Sequence, residues 1–224
     1  MFVYVLCIGE HMDVLMNRHV ENIFKKVDGV WQEKEAYATA RESAESVLEV
    51  NELLNCQNIG IVRLAMKYGF VVATAALPSD VQGIIAYDES GKKQLGTKYS
   101  KLIVVDSRLT TEQKRFVVAH ELGHYVMSDR STTVGEHIER RITNSNHHGN
   151  RSERENRIDY FAACLLMPYP TVVNELKSIL GNRTLQSLNA SEKIDASEKL
   201  SETFKVSSSV AYRRIEEVQA MGIQ

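Results

Sequence analysis

The sequence of 224 residues has few of the residue types that fix rigid turns or covalent cross-links. It contains three prolines, three cysteines and one tryptophan. So few prolines leave most of the chain able to form regular helices and strands. The cysteines, Cys7, Cys56 and Cys164, are odd in number and far apart, which excludes a disulfide-dense scaffold. This pattern favours a reducing, cytoplasmic location.

Long apolar runs and an excess of one charge are also missing. No run of about 18 apolar residues occurs, so the sequence predicts no membrane-spanning helix. Residues 2–8 are apolar but lack a preceding basic residue and a cleavage site. We therefore expect a first strand there, or a true start at Met12, and no signal peptide. With 27 basic and 29 acidic residues, the net charge of −2 argues against a nucleic-acid coat or a polybasic membrane binder.

Helical and β-rich segments follow one another along the chain. Helices are predicted from Glu33 to about Asn55 and over residues 58–67, the second ending at Gly69. The first helix has an apolar stripe formed by Ala36, Ala40, Ala44, Val47 and Leu48. Residues 70–76, 81–87 and 101–106 are β-rich, with a turn at residues 89–92. These runs predict a small, mainly antiparallel sheet within an α+β fold.

The second half of the chain is predicted to be mostly helical. Thr110 and Gln113 form a capping-box pattern that begins a helix extending to about Met127. Residues 129–150 are polar and predict a long loop. A helix over residues 151–167 ends at Pro168, and three or four short helices follow.

The strongest chemical motif is His120-Glu121-Leu122-Gly123-His124. On a helix, residues four apart lie on one face, so the imidazoles of His120 and His124 can bind one metal ion, for which tetrahedral zinc is the default. The carboxylate of Glu121 can then take a proton from water that the metal activates. Because a bare H-E-x-x-H also arises by chance, the alternative is a buried helix that happens to carry two histidines.

A catalytic zinc needs a third protein ligand, and the helix that begins near Arg151 supplies candidates. Glu155 and Asp159 are four residues apart and share a helical face. We expect Glu155 to complete a His₂Glu site and Asp159 to accept a hydrogen bond from the far ring nitrogen of His120. Glu153 is the rival ligand, although it points to a different side of the helix.

Two segments carry a family resemblance. Residues 115–124 read R-F-V-V-A-H-E-L-G-H, and residues 155–168 read E-N-R-I-D-Y-F-A-A-C-L-L-M-P. Together they resemble the ImmA/IrrE family of zinc metallo-endopeptidases, and the resemblance covers about residues 58–168. The Glu155-x-x-x-Asp159 spacing also looks like that of thermolysin-type sites. The resemblance implies a minimal metallopeptidase that uses one Zn²⁺ per chain.

Some residues depart from the family pattern or leave alternatives open. Arg157 and Ile158 stand where family members often carry glutamate and alanine, which we expect to alter packing or substrate contact. The polar loop contains His137, His147 and His148, which we expect to be exposed; an oxyanion-stabilising or ligand role is the alternative. We expect Cys164 to be a small buried hydrophobe and not a nucleophile.

The tail offers a second feature, because residues 200–215 have the pattern of helix, tight turn, helix. This pattern resembles the helix-turn-helix-like segment that follows the peptidase core in the family. We favour a helical cap on the catalytic part, since Lys205, Arg213 and Arg214 are too few to predict a DNA-binding face. Direct nucleic-acid binding stays open.

The sequence therefore predicts an N-terminal extension (1–32), a metallopeptidase core (33–168) and a helical C-terminal region (169–224). The resemblance implies that the substrate is a protein, such as a helix-turn-helix transcriptional repressor in a mobile-element or stress response. One alternative is a non-catalytic regulator in which the metal is structural and the tail binds DNA or a repressor. Another is a toxin or effector protease with a broader target.

Overall fold

A short hairpin lies near the start of the part of the chain that the structure, a computed structural model, describes. That part comprises residues 18–88, 99–128, 136–142, 152–181 and 183–222, with the backbone alone for 136–142. After a helical segment at residues 18–23, strand β1 (Phe24–Val27) pairs antiparallel with β2 (Val30–Glu33). Asp28-Gly29 forms the connecting turn with positive φ at both residues, a sequence signal typical of two-residue hairpins.

The first predicted helix is present but shorter than its pattern indicated. Helix α1 spans Glu35–Val50, because Glu33 belongs to β2. Its buried stripe contains Ala40, Ala44, Val47 and Leu48 as predicted, but Tyr37 takes the place expected for Ala36. Helix α2 (Ile61–Lys67) ends just before Gly69, whose φ is +88°.

The central sheet has four strands in the order β3-β5-β4-β6. Strand β3 (Val71–Ala75) is parallel to β5 (Lys101–Asp106). Strand β4 (Val81–Asp88) is antiparallel to both β5 and β6 (Glu136–Ile142). The expectation of a small, mainly antiparallel sheet in an α+β fold is confirmed, with one parallel pair.

Strand β6 corrects the prediction of a loop over residues 129–150. Residues 136–142 pair with β4 along its length. Their polarity suggested a loop, but an edge strand is held by backbone hydrogen bonds to one neighbour, which side-chain polarity does not report. The rest of that segment, the turn expected at 89–92 and the strand expected at 2–8 lie outside the described residues.

Two helices carry the predicted motifs, and the first of them packs against the sheet. Helix α3 (Thr111–Val126) has the predicted capping box at Thr110 and Gln113, and α4 (Glu153–Leu166) begins after the N-cap residue Ser152. The two helices pack so closely at Gly123 that a Cβ there would lie 2.8 Å from Phe161 Cδ1 and 3.2 Å from Ile158 Cγ2. Ile158, one of the family departures, therefore has a packing role.

The C-terminal part is helical, as predicted. Helix α5 (Tyr169–Leu180), a 3₁₀ turn (Leu185–Ser187), α6 (Ala190–Phe204) and α7 (Ser208–Ala220) follow one another. Lys205 ends α6 in the left-handed conformation, and Arg115 Nε of α3 donates to its carbonyl oxygen at 2.9 Å. None of the helices within these described residues is both long and apolar enough to cross a membrane.

A buried ion pair lies within α7, and its arginine also bonds the end of α4. Arg214 Nη1 donates to Glu217 Oε2 at 2.9 Å and Arg214 Nε donates to the carbonyl oxygen of Met167 at 3.2 Å. His19 Nε2 lies 2.8 Å from Glu217 Oε1, which ties the N-terminal segment to the same group. The division of the chain at residues 32 and 168 stays a prediction.

We expect Gly123→Ala to lower the free energy of unfolding by about 1–3 kcal/mol, because the added methyl group overpacks the contact with Phe161. The higher helix propensity of alanine, at most about 1 kcal/mol, offsets only part of this cost. Urea denaturation measures the change. Gly60→Ala is the control, since a Cβ there meets only Arg63 Cβ at 3.8 Å. Equal stability of the two variants would contradict the close helix contact.

Glu217 should make the fold sensitive to acid. Burial alone would raise the pKa of Glu217, but hydrogen bonding to His19 and the charge of Arg214 lower it below its ordinary value of 4.5. Because the folded-state pKa is the lower one, ionised Glu217 contributes stability above about pH 4.5 that is lost as the pH falls through the folded-state pKa.

The variant Glu217→Gln should therefore be less stable at pH 7, by about 3 kcal/mol or more, since Arg214 keeps a buried charge with a neutral partner. Its unfolding free energy should also fall less between pH 5 and pH 3 than that of the wild type. Glu202→Gln on the exposed side of α6 is the control and should change stability by under about 0.5 kcal/mol. Parallel wild-type and Glu217→Gln pH profiles would contradict this assignment.

Candidate metal centre

Helix α3 places His120, Glu121 and His124 at its buried end. The capping box fixes the start of the helix, with Gln113 N donating to Thr110 Oγ1 at 3.3 Å and Thr110 N donating to Gln113 Oε1 at 2.9 Å. His120 and His124 are one turn apart, and their ring centroids are separated by 4.8 Å. Both rings are buried, so their polar atoms need partners within the protein.

Glu121 is buried on the side of α3 that faces the sheet. A Cβ at Gly83 of β4 would lie 2.6 Å from Glu121 Oε1 and would overlap Val117 Cγ1. Only a glycine lets the strand approach the carboxylate this closely. Gly83 is an isolated glycine within a strand, a sequence signal of a close backbone approach.

Helix α4 brings Glu155 to the two imidazoles. Ser152 Oγ accepts a hydrogen bond from Glu155 N at 3.2 Å, so Glu155 lies in the first turn of the helix. Glu155 Oε2 is 3.2 Å from His120 Nε2, and Glu155 Oε1 is 3.5 Å from His124 Nε2. The two Nε2 atoms are 3.1 Å apart.

These three separations fit a tetrahedral metal site. Ligand atoms about 2.0–2.1 Å from a zinc ion lie about 3.3 Å from one another in a tetrahedron. The observed distances, 3.1, 3.2 and 3.5 Å, bracket that value. The three residues could therefore hold one metal ion, as the donor set of two imidazoles and a carboxylate suggests.

Asp159 lies where the sequence predicted it. Its Oδ1 is 2.7 Å from His120 Nδ1, so the ring donates its proton there. Since a neutral imidazole carries one proton, this bond leaves the lone pair of His120 Nε2 directed toward His124 and Glu155. A cation placed between His120 Nε2, His124 and Glu155 would stabilise the electron-rich atoms that meet there.

The rival ligand and the other candidate residues lie elsewhere or outside the described part. Glu153 is exposed at the start of α4 and is not part of the group of potential ligands. Burial raises the pKa of the Cys164 thiol to about 12, which leaves it an inert core residue. His137 is a residue of strand β6, of which the backbone alone is described, and His147 and His148 lie outside the described residues.

The fold and the donor group together define the class: a protein in which an H-E-x-x-H helix and a second helix form a potential metal centre beneath a small mixed sheet. The chain belongs to the family of the IrrE N-terminal-like domain, Peptidase M78, whose family model matches residues 80–216. This match covers more than half of the chain and includes both motif helices. Membership indicates a peptidase of the metallopeptidase type. Among curated proteins, none shows significant similarity to this chain.

Glu155→Gln should weaken binding of Zn²⁺ by at least about tenfold, because an amide oxygen replaces a charged ligand. Titration of metal-free protein with Zn²⁺ against a chelating indicator measures the change. Glu153→Gln is the matched control, since it removes the same charge from the same turn of α4, outside the donor group. Loss of affinity in the control alone would make Glu153 the ligand.

Proposed function

We propose that this protein is a zinc-dependent endopeptidase that acts in the cytoplasm. The observation that carries this proposal is the convergence of His120, His124 and Glu155 within tetrahedral ligand distances, in a chain of a peptidase family. His₂Glu sets of this kind leave a fourth position open to water or substrate. We assign His120, His124 and Glu155 as the metal ligands.

The reaction would combine the metal with one carboxylate of this chain. When bound, Zn²⁺ lowers the pKa of water and polarises the carbonyl of the scissile peptide. Glu121 takes a proton from the attacking water as that oxygen bonds to the carbonyl carbon. When the carbon–nitrogen bond breaks, Glu121 returns the proton to the leaving amine. The burial of Glu121 against Gly83 supports this role, because packing fixes the position of its carboxylate.

Asp159 would act through His120. By accepting the Nδ1 proton at 2.7 Å, it holds the ring in the tautomer and orientation that present Nε2 to the metal. About 18% of the Asp159 side chain is exposed, so the carboxylate remains partly solvated while its partner ring is fully buried. It is therefore a positioning residue and not a ligand.

The resemblance of the two motifs to ImmA/IrrE peptidases supports a protein substrate that is a transcriptional repressor with a helix-turn-helix fold. Cleavage of such a repressor would place the protein in the regulation of a mobile element or a stress response. The side chain of the metal ligand Glu155 is 25% exposed, which supports access of a polypeptide to the centre, since a fully buried centre would admit only small molecules.

The rival proposal, a non-catalytic regulator whose tail binds DNA, has less support from the described residues. Nearly every side of α7 is buried against the rest of the protein, and its central cation Arg214 pairs with Glu217. A recognition helix must present a row of side chains to a groove, and α7 presents only a few, with Arg213 the exposed cation among them. These features support a helical cap.

Replacing the proposed base tests the mechanism. Glu121→Gln should retain Zn²⁺, because the ligands are unchanged, but should lose peptide cleavage by about 10²- to 10⁴-fold, the usual contribution of a general base. Metal analysis and mass spectrometry of a digested peptide mixture measure the two properties. Glu198→Gln, exposed on α6, is the control and should cleave like the wild type. Wild-type rates in Glu121→Gln would refute the assignment.

Co-expression with repressors encoded beside the gene tests the proposed substrate. A repressor fragment that forms with the wild type and not with Glu121→Gln supports the regulatory role. Cleavage of many unrelated proteins instead would favour the broader effector protease. Equal, salt-sensitive DNA binding with and without metal, in the absence of cleavage, would favour the non-catalytic regulator.

A further inference from the structure

A cavity of about 240 Å³ lies beside Asp159, the carboxylate that holds the ring of His120. Its floor is formed by one face of each motif helix, with Phe116 and Val117 from α3 and Asn156, Asp159 and Ala163 from α4. Asp159 therefore contacts both the cavity and the ring of His120. The volume is below the range of about 300–1,000 Å³ that is usual for whole ligands, so it suits a single side chain.

Further walls come from the N-terminal segment and from α7. His19, Ile23 and Tyr37 line the cavity from the N-terminal side, and Glu217 lines it from the end of α7. All four lie outside residues 80–216, the range of the family model. These four residues add to lining residues within the matched range, so segments inside and outside the family match together shape the cavity.

A β-bulge places a further polar side chain in the wall. Val81 pairs with Ile142 and Gly83 pairs with Arg141, so Gln82 lies between two consecutive partners in β6 and has no counterpart of its own. Bulges of this kind redirect a side chain, often beside active sites. Gln82 lines the cavity, next to the glycine that contacts Glu121.

The lining combines an apolar body with acidic groups. The carboxylates of Glu112, Asp159 and Glu217 line the cavity, whereas Arg213 at its exposed edge is the lone arginine in the lining. Hydrogen bonds from its own backbone and from Thr110 lower the pKa of Glu112, so this group is ionised at neutral pH. Glu217 is already bonded to Arg214 and His19, but each carboxylate can accept several hydrogen bonds.

We propose that this cavity is a specificity pocket that takes one lysine or arginine side chain of the peptide substrate. The apolar wall, with Phe116 and Val117, would cover the aliphatic stem, and the charged end would reach the carboxylates. The proposal rests on the proposed peptidase function for the substrate, but the pocket can be tested by binding alone.

The binding test uses the full chain loaded with Zn²⁺ and three probes: the N-acetyl amides of lysine, norleucine and glutamate. NMR titration should show the lysine probe binding about tenfold more tightly than norleucine, the effect of one charge-assisted hydrogen bond. The glutamate probe should bind more weakly than both. Equal binding of lysine and glutamate, or no saturable binding of the lysine probe, would overturn the proposal.

A pair of variants on neighbouring residues locates the binding. Val210→Trp fills the cavity from α7 and should weaken the lysine probe about tenfold or more, whereas Ser209→Trp adds the same group to an exposed neighbour and should leave binding unchanged. Unchanged binding in a folded Val210→Trp protein would place the probe elsewhere and overturn the proposal. The selectivity among the three wild-type titrations remains decisive if Val210→Trp does not fold.

Cleavage of a random peptide mixture separates this inference from the proposed function. Lysine or arginine should be enriched at one position beside the cleaved bond, and Val210→Trp should abolish that preference. Selective lysine binding without any cleavage would refute the proposed peptidase function but support the proposed pocket. Cleavage without a basic preference would refute the pocket and leave the peptidase.

Discussion

The close contact between the two motif helices is the constraint on which the rest of the site depends. At Gly123 the backbone of α3 meets Phe161 of α4 with no room for a side chain. This contact sets how far Glu155 lies from the two imidazoles, and so whether three lone-pair donors meet at one point. A second glycine, Gly83, makes the same kind of contact between the sheet and Glu121. The absence of a Cβ at Gly123 and Gly83 therefore allows the contacts that position Glu155 and Glu121.

Burial strengthens the electrostatic interactions of the side chains that these contacts position. The rings of His120 and His124 and the carboxylate of Glu121 are withdrawn from water, where polar groups need partners and charges act strongly. Asp159 fixes the proton of His120 on one nitrogen and so decides which lone pair is presented. Backbone packing thus positions the side chains, the side chains fix the proton of His120, and the resulting lone pairs can hold a cation.

The C-terminal helices are part of this arrangement and not an appendage to it. Arg115 of α3 bonds the turn after α6, and Arg214 of α7 bonds the end of α4. The N-terminal segment reaches the same region through His19 and Glu217. Segments far apart in the chain thus pack against the two motif helices, and the cavity beside Asp159 has walls from both the N-terminal and the C-terminal segments.

The local features of this protein are specified by short-range sequence patterns. Such patterns predict the spacing of His120 and His124, the capping box at Thr110 and the pairing of Glu155 with Asp159 on one helix face. They also predict strands over residues 70–76, 81–87 and 101–106, which the structure places at 71–75, 81–88 and 101–106. Tertiary structure determines three other features: the formation of strand β6, the burial of Tyr37 in place of Ala36, and the close approach of Gly83 to Glu121. Each depends on which backbone lies alongside another, and pairing across long separations leaves little trace in the local pattern of polar and apolar residues.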